Sequence, residues 1–172
     1  MKHKLTMANA LSVLRIILSV ALLAPPALSP AFLVLYAAAG LTDMLDGFVA
    51  RSTKTETELG AKLDSIADLI LVVVCLVKIL PAIPVPTWLW IWAAAIVLVK
   101  AANAVSGFVV EKRLVMPHTM ANKVAGFVVF LVPFAIPLFG ITVPAIIACA
   151  IATFAAVQEG HFIRSGRSTS LA

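Results

Sequence analysis

Apolar runs of bilayer-spanning length, separated by short polar or proline-rich connections, leave this chain little choice of fold. A spanning helix takes about 20 residues, so 172 residues hold about six spans and leave no room for a soluble domain. With 62% hydrophobic and 12% charged residues and a mean hydropathy of +1.09, the composition lies outside the soluble range. The expectation is an all-α, polytopic membrane protein with six transmembrane helices. It is read as a single domain over residues 1–172, with a polar start at 1–6 and a polar tail at 164–172.

The first run, Met7 to Ala24, has the length of a signal peptide. Asn9, Ser12 and Arg15 interrupt its apolar centre, which favours a retained span ending at Pro25-Pro26. The second span covers Ala31 to Arg51, and the third runs from Thr57 or Glu58 to Leu80. Pro81, Pro84 and Pro86 stop it, because proline cannot donate into a continuing helix. Trp88, Trp90 and Trp92 open a fourth span to Glu111, in the manner of an interfacial aromatic belt. The fifth, Thr119 to Phe139, carries Pro133 and Pro137, which predict a kink or an early break. Val143 to Ile163 is the sixth. Cys75 and Cys149 lie in apolar runs without ligand spacing and read as packing residues. Lys78 is expected to snorkel outward.

Lysine and arginine set the orientation. Lys2, Lys4, Arg51, Lys54, Lys62, Lys112, Arg113, Lys123, Arg164 and Arg167 fall on the side of the N-terminus, and the opposite connections carry none. That asymmetry places both termini in the cytoplasm. It also accounts for the net charge of +5 without a nucleic-acid partner, since the basic residues form no single patch.

All four aspartates lie between positions 43 and 68: Asp43 and Asp46 near the end of the second span, Asp64 and Asp68 near the start of the third. Three- and four-residue spacing puts each pair on one helix face. Arg51 is about 12 Å along the helix from Asp43, so the acids lie one to two turns below the cytoplasmic surface. Ionised carboxylates at that depth cost several kcal/mol. Two about 4 Å apart repel by roughly 4 kcal/mol at an effective dielectric near 20. Either some are protonated or divalent cations neutralise them. All-oxygen ligands favour Mg²⁺ or Mn²⁺, and a pair of such ions is a device for phosphoryl chemistry. Gly47 and Gly60 either admit a substrate to the helix or serve helix packing. Arg51 either grips a diphosphate or anchors the span. Thr53, Thr55 and Thr57 offer hydroxyls or cap the next helix.

Together Asp43, Asp46, Gly47, Ala50, Arg51, Gly60, Asp64 and Asp68 resemble the signature of the CDP-alcohol phosphatidyltransferase family, DxxDGxxAR, eight residues, then GxxxDxxxD. Every spacing matches. Asn9, Ser12 and Arg15 are similar to a polar pattern in the family's first span that faces the nucleotide. The resemblance implies transfer of a phosphatidyl group from CDP-diacylglycerol to an acceptor alcohol, with release of CMP. It implies that Asp43, Asp46 and Asp64 hold two metal ions, while Asp68 touches one and acts as general base. Gly47, Gly60, Arg51 and Thr57, with Asn9 and Ser12, then contact CDP-diacylglycerol. A homodimer in the cell membrane, with its active site facing the cytoplasm, is implied as well.

For the acceptor, Lys100, Lys112, Arg113, His118 and Lys123 suit an anion such as glycerol 3-phosphate, or merely set topology. Lys100, Asn103 and Ser106 form a polar stripe on the fourth span, lining that pocket or satisfying one another. Inositol phosphate, phosphatidylglycerol and serine are alternative acceptors. Intramembrane prenyltransferases also use aspartate pairs, but with other spacings and more spans. A divalent-cation transporter is the alternative from a different class, and it leaves Gly47, Arg51 and Gly60 without a role.

Overall fold

The computed structural model describes residues 7–53, 58–111 and 120–164; within these helices the side chains of 7, 8, 46–53, 58, 59, 61, 108–111 and 164 lie outside the description. The architecture is all-helical: α1 Met7–Ala21, α2 Pro30–Thr53, α3 Glu58–Ile79, α4 Thr87–Glu111, α5 Met120–Phe139 and α6 Thr142–Arg164, with a 3-10 turn at Leu80–Ala82 after α3. The chain divides into two compact units, Met1–Pro84 and Val85–Ala172, and the boundary falls in the proline-rich connection.

In the first unit α1 packs against both α2 and α3. Its buried stripe is Ser12, Arg15, Ser19 and Leu22, spaced three, four and three residues apart as one helix face requires. The stripe is unusually polar, and part of that polarity is satisfied locally: the Ser19 hydroxyl donates to the Arg15 carbonyl at 2.7 Å. The helix stops at Ala21, three residues before the expected Ala24, in a tightened turn. There the Leu23 and Ala24 amides donate to the carbonyls of Val20 and Ala21. Leu28, at φ 60°, and Ser29 then redirect the chain. Ser29 caps α2, since the Phe32 amide donates to its Oγ at 3.2 Å, and Pro30 occupies the first helical position, where its missing N–H costs nothing. Phe32, Tyr36, Ala39 and Thr42 form the buried face of α2.

The C-terminal ends of α1 and α3 lie together, because Lys78 Nζ donates to the Leu23 carbonyl at 3.0 Å. In this exposed contact the ammonium finds a backbone acceptor past the end of α1, where helix carbonyls favour a cation. Ala67, Val74 and Ile79 are the buried apolar residues of α3.

In the second unit α6 packs against both α4 and α5. Gly140, at φ +67°, ends α5 in the left-handed conformation that favours glycine, and its amide donates to the Ile136 carbonyl at 2.9 Å. α6 starts two residues later. The expected early break at Pro133 or Pro137 does not occur, and α5 continues to Phe139 with both prolines inside it. The buried face of α6 is built on Ala145, Ala148, Ala155 and Ala156, small residues that let helices approach closely. A Cβ on Gly160 would lie 2.6 Å from Asn103 Oδ1, so the α4–α6 contact there requires glycine. Of the tryptophans, Trp88 and Trp90 are exposed. Trp92 instead donates its indole N–H to Thr153 Oγ1 on α6 at 3.0 Å, so only two of the three fit a lipid-facing belt.

Among the described residues three helical stretches are long and apolar enough to cross a membrane: Thr87–Gly107, Met120–Phe139 and Thr142–Ile163. The apolar stretches Asn9–Ala21 and Pro30–Leu45 are shorter, and Lys62, Asp64 and Asp68 interrupt α3. Large apolar side chains such as Val34, Val97, Leu98, Leu138 and Phe154 point outward, the arrangement of a protein whose solvent is lipid.

Candidate active site

Arg15 is the hub of the first unit. Its side chain is 0% exposed, and its Nη1 lies 3.1 Å from Asp43 Oδ1, 2.8 Å from Asp64 Oδ1 and 2.5 Å from Asp68 Oδ1. Nε also donates to Thr42 Oγ1 at 3.5 Å, and the Thr42 hydroxyl donates to the Ala39 carbonyl at 2.6 Å. One guanidinium from α1 thus gathers acids from α2 and α3. The three aspartate side chains are 52%, 42% and 52% exposed, so the cluster has a buried, cationic floor and an open mouth.

One carboxylate oxygen from each of Asp43, Asp64 and Asp68 lies within 4.8 Å of the others. The donor set is all oxygen and hard, the chemistry that suits Mg²⁺ or Mn²⁺. Among the described residues the charge count points the same way: three carboxylates against one guanidinium leave a formal charge of −2. The residues present therefore fit a divalent cation.

The expected site residues divide as follows. Asp43, Asp64 and Asp68 come together as the spacing requires. Asp46, Gly47 and Arg51 follow Asp43 on α2, with side chains outside the described residues, as do Thr57, Lys112, Arg113 and His118. Gly60 lies in the first turn of α3 and is half-buried. Ser12 is buried one turn before Arg15, and Asn9 is half-buried one turn before that. Arg15, the third residue of that polar pattern, engages the aspartates. Its signal was an arginine in an apolar span, whose charge demands an acidic partner.

A second polar cluster lies in the other unit. Lys100 Nζ on α4 is 3.1 Å from Asn122 Oδ1 on α5 and 3.4 Å from Glu159 Oε2 on α6. Asn122 Nδ2 donates to the same Glu159 oxygen at 2.8 Å. Asn103 donates to the Ala156 carbonyl at 2.7 Å. Sequence reasoning found Lys100 but missed its carboxylate partner, although Glu159 stands alone in an apolar run as the aspartates do. Lys123 is exposed on α5.

Comparison with known proteins agrees with this chemistry. A 90-residue stretch, 51% of the chain, is 37% identical to human cardiolipin synthase (CMP-forming), of which it covers 29%. A 41-residue stretch, 24% of the chain, is 54% identical to a CDP-diacylglycerol–glycerol-3-phosphate 3-phosphatidyltransferase of Haemophilus influenzae, of which it covers 22%. The matched stretches thus span less than a third of either relative. No solved structure matches significantly. The family match, in contrast, runs from residue 5 to residue 158 and takes in the aspartates, Arg15 and the Lys100–Glu159 end of the second cluster apart from its last residue, so the chain belongs to the CDP-alcohol phosphatidyltransferase family.

Proposed function

We propose that this protein transfers a phosphatidyl group from CDP-diacylglycerol to the hydroxyl of glycerol 3-phosphate, releasing CMP and forming a phosphodiester lipid. The observation that carries the reading is the convergence of Asp43, Asp64 and Asp68 inside the family's spacing pattern. Asp43, Asp46 and Asp64 hold two divalent ions, Mg²⁺ or Mn²⁺, with Asp68 touching one of them. Ions held there would supply charge neutralisation for the diphosphate and for the oxygens that exchange at phosphorus. Asp68 accepts the proton of the acceptor hydroxyl as that oxygen attacks the lipid-side phosphorus, and CMP departs with the electrons of the broken P–O bond. Arg51 grips the diphosphate through paired N–H donors. Gly47 and Gly60 leave room for it, and Thr57, Asn9 and Ser12 contact the CDP moiety.

The acceptor phosphate meets Lys100, Lys112, Arg113, His118 and Lys123 at the cytoplasmic mouth. In this reading all six helices cross the bilayer, both termini are cytoplasmic, and the enzyme is a homodimer in the plasma membrane. That placement serves the substrate, whose diphosphate needs water and metal while its acyl chains stay in lipid. The cardiolipin synthase relative favours a second acceptor, phosphatidylglycerol.

The test is CMP release by purified protein in detergent with CDP-diacylglycerol, Mg²⁺ and a panel of both acceptors, inositol phosphate and serine. Turnover with glycerol 3-phosphate supports the main reading, and turnover with phosphatidylglycerol alone replaces the acceptor. Ion flux in vesicles without any CMP release returns the site to a transporter.

A further inference from the structure

We infer that Arg15 is a built-in counter-ion that holds the place of a divalent cation, so that metal loading and the Arg15 contacts compete for the same carboxylates. The inference rests on the metal-binding reading above and deepens it.

The geometry is that of a cation site with a protein cation in it. A guanidinium in an ordinary ion pair presents two nitrogens to one carboxylate. Here one nitrogen, Nη1, takes an oxygen from each of three carboxylates at 2.5–3.1 Å. Those three oxygens come from two helices, α2 and α3, and the cation that joins them comes from a third. A side chain at 0% exposure cannot exchange these partners for water where it stands. Removing it without replacement leaves three like charges facing one another.

The charge balance explains why the arrangement is incomplete. Among the described residues Arg15 offsets one of three negative charges, enough to hold the acids together and too little to neutralise them. The half-exposed mouth gives an ion access from the side opposite the buried arginine stem. An ion that takes these oxygens must displace Nη1 or sit beside it against like-charge repulsion. In both cases Arg15 lowers the apparent affinity for the ion; where the ion displaces it, the affinity is scaled by the fraction of time the oxygens are free of Nη1. In return it keeps the metal-free site assembled and folded.

The experiment measures Mn²⁺ binding to the purified full chain in detergent micelles, without substrate, from loss of the free-ion electron paramagnetic resonance signal. Thermal unfolding is followed in parallel with and without chelator. Arg15→Gln is expected to bind Mn²⁺ about tenfold more tightly than the wild type. It should also melt earlier in chelator and recover most of that difference when Mn²⁺ is added. Arg15→Lys keeps the charge on a less branched head and should fall between the two.

Equal or weaker Mn²⁺ binding by Arg15→Gln, while the wild type binds, overturns the inference and leaves the metal reading intact. Absence of binding by both wild type and variant overturns both. If Arg15→Gln does not fold, Arg15→Lys decides: binding tighter than wild type supports competition, and equal or weaker binding ends it.

Discussion

Replacing Glu159 by alanine should destabilise the second unit mainly through Asn122 rather than through Lys100, although the lysine carries the opposite charge. Both donors address one oxygen, Oε2: Asn122 Nδ2 at 2.8 Å and Lys100 Nζ at 3.4 Å. The glutamate side chain is 9% exposed and the lysine 42%, so solvent screens the lysine arm. An ion pair of that length and exposure contributes about 0–1 kcal/mol. A short hydrogen bond to a buried charged group is worth about 1.5–3 kcal/mol in general, though interhelical polar pairs in membranes have averaged nearer 0.6 and reached about 1.7.

Taking the two arms together, Glu159→Ala should cost about 2 kcal/mol, up to about 30-fold in the unfolding constant. Glu159→Gln should cost about half that or less, since its amide oxygen still accepts from Asn122. The assay is reversible unfolding in mixed micelles, read as double-mutant cycles. The Asn122–Glu159 pair should couple by about 1 kcal/mol and the Lys100–Glu159 pair by less than about 0.5. A larger coupling for the lysine pair, or a Glu159→Gln cost equal to that of alanine, would falsify the distance-and-exposure argument.

Three further outcomes follow from the two units. Asp68→Asn should keep Mn²⁺ binding within a few-fold of wild type while lowering kcat about 100-fold or more, the scale of a lost general base; near-normal kcat removes that role from Asp68. Arg51→Ala should raise KM for CDP-diacylglycerol about tenfold, equivalent to about 1.4 kcal/mol, with little change in kcat, and an unchanged KM returns Arg51 to a topological anchor. Gly160→Ala should cost about 1–3 kcal/mol by overpacking, because the new methyl meets Asn103 Oδ1 at 2.6 Å and that amide is already committed to the Ala156 carbonyl; a melting temperature equal to wild type would show that the helices simply slide apart.

Most helix limits were legible because their signals are local. The Pro81–Pro86 stop, the start of α4 at Thr87 and the end of α5 at Phe139 all follow from proline chemistry or hydropathy. The convergence of Asp43, Asp64 and Asp68 was legible from spacing and from the cost of unpaired acids in lipid. Partners on other helices were not. Nothing local to Arg15 says that α1 lies against both α2 and α3, and nothing near Glu159 names Asn122. Trp92 is a similar case: its position in the sequence suits an interfacial belt, while a neighbouring helix supplies its acceptor. α5 continues past Pro133 to the Phe139 limit that hydropathy sets, because a missing backbone bond is tolerable where neighbouring helices hold the segment.

The two polar clusters answer one physical demand in different ways. In both, a carboxylate in an apolar helix meets a cation on a neighbouring one. Among the described residues Glu159 and Lys100 balance one to one, and Asn122 bonds to both. Around Arg15, among the described residues, three carboxylates face one cation, and holding such an excess within an apolar bundle without a purpose is costly. A bundle that required only cohesion would have closed the second arrangement as it closed the first. The uncompensated charge, held at a half-open mouth, is therefore what a divalent cation and an incoming diphosphate would find prepared for them.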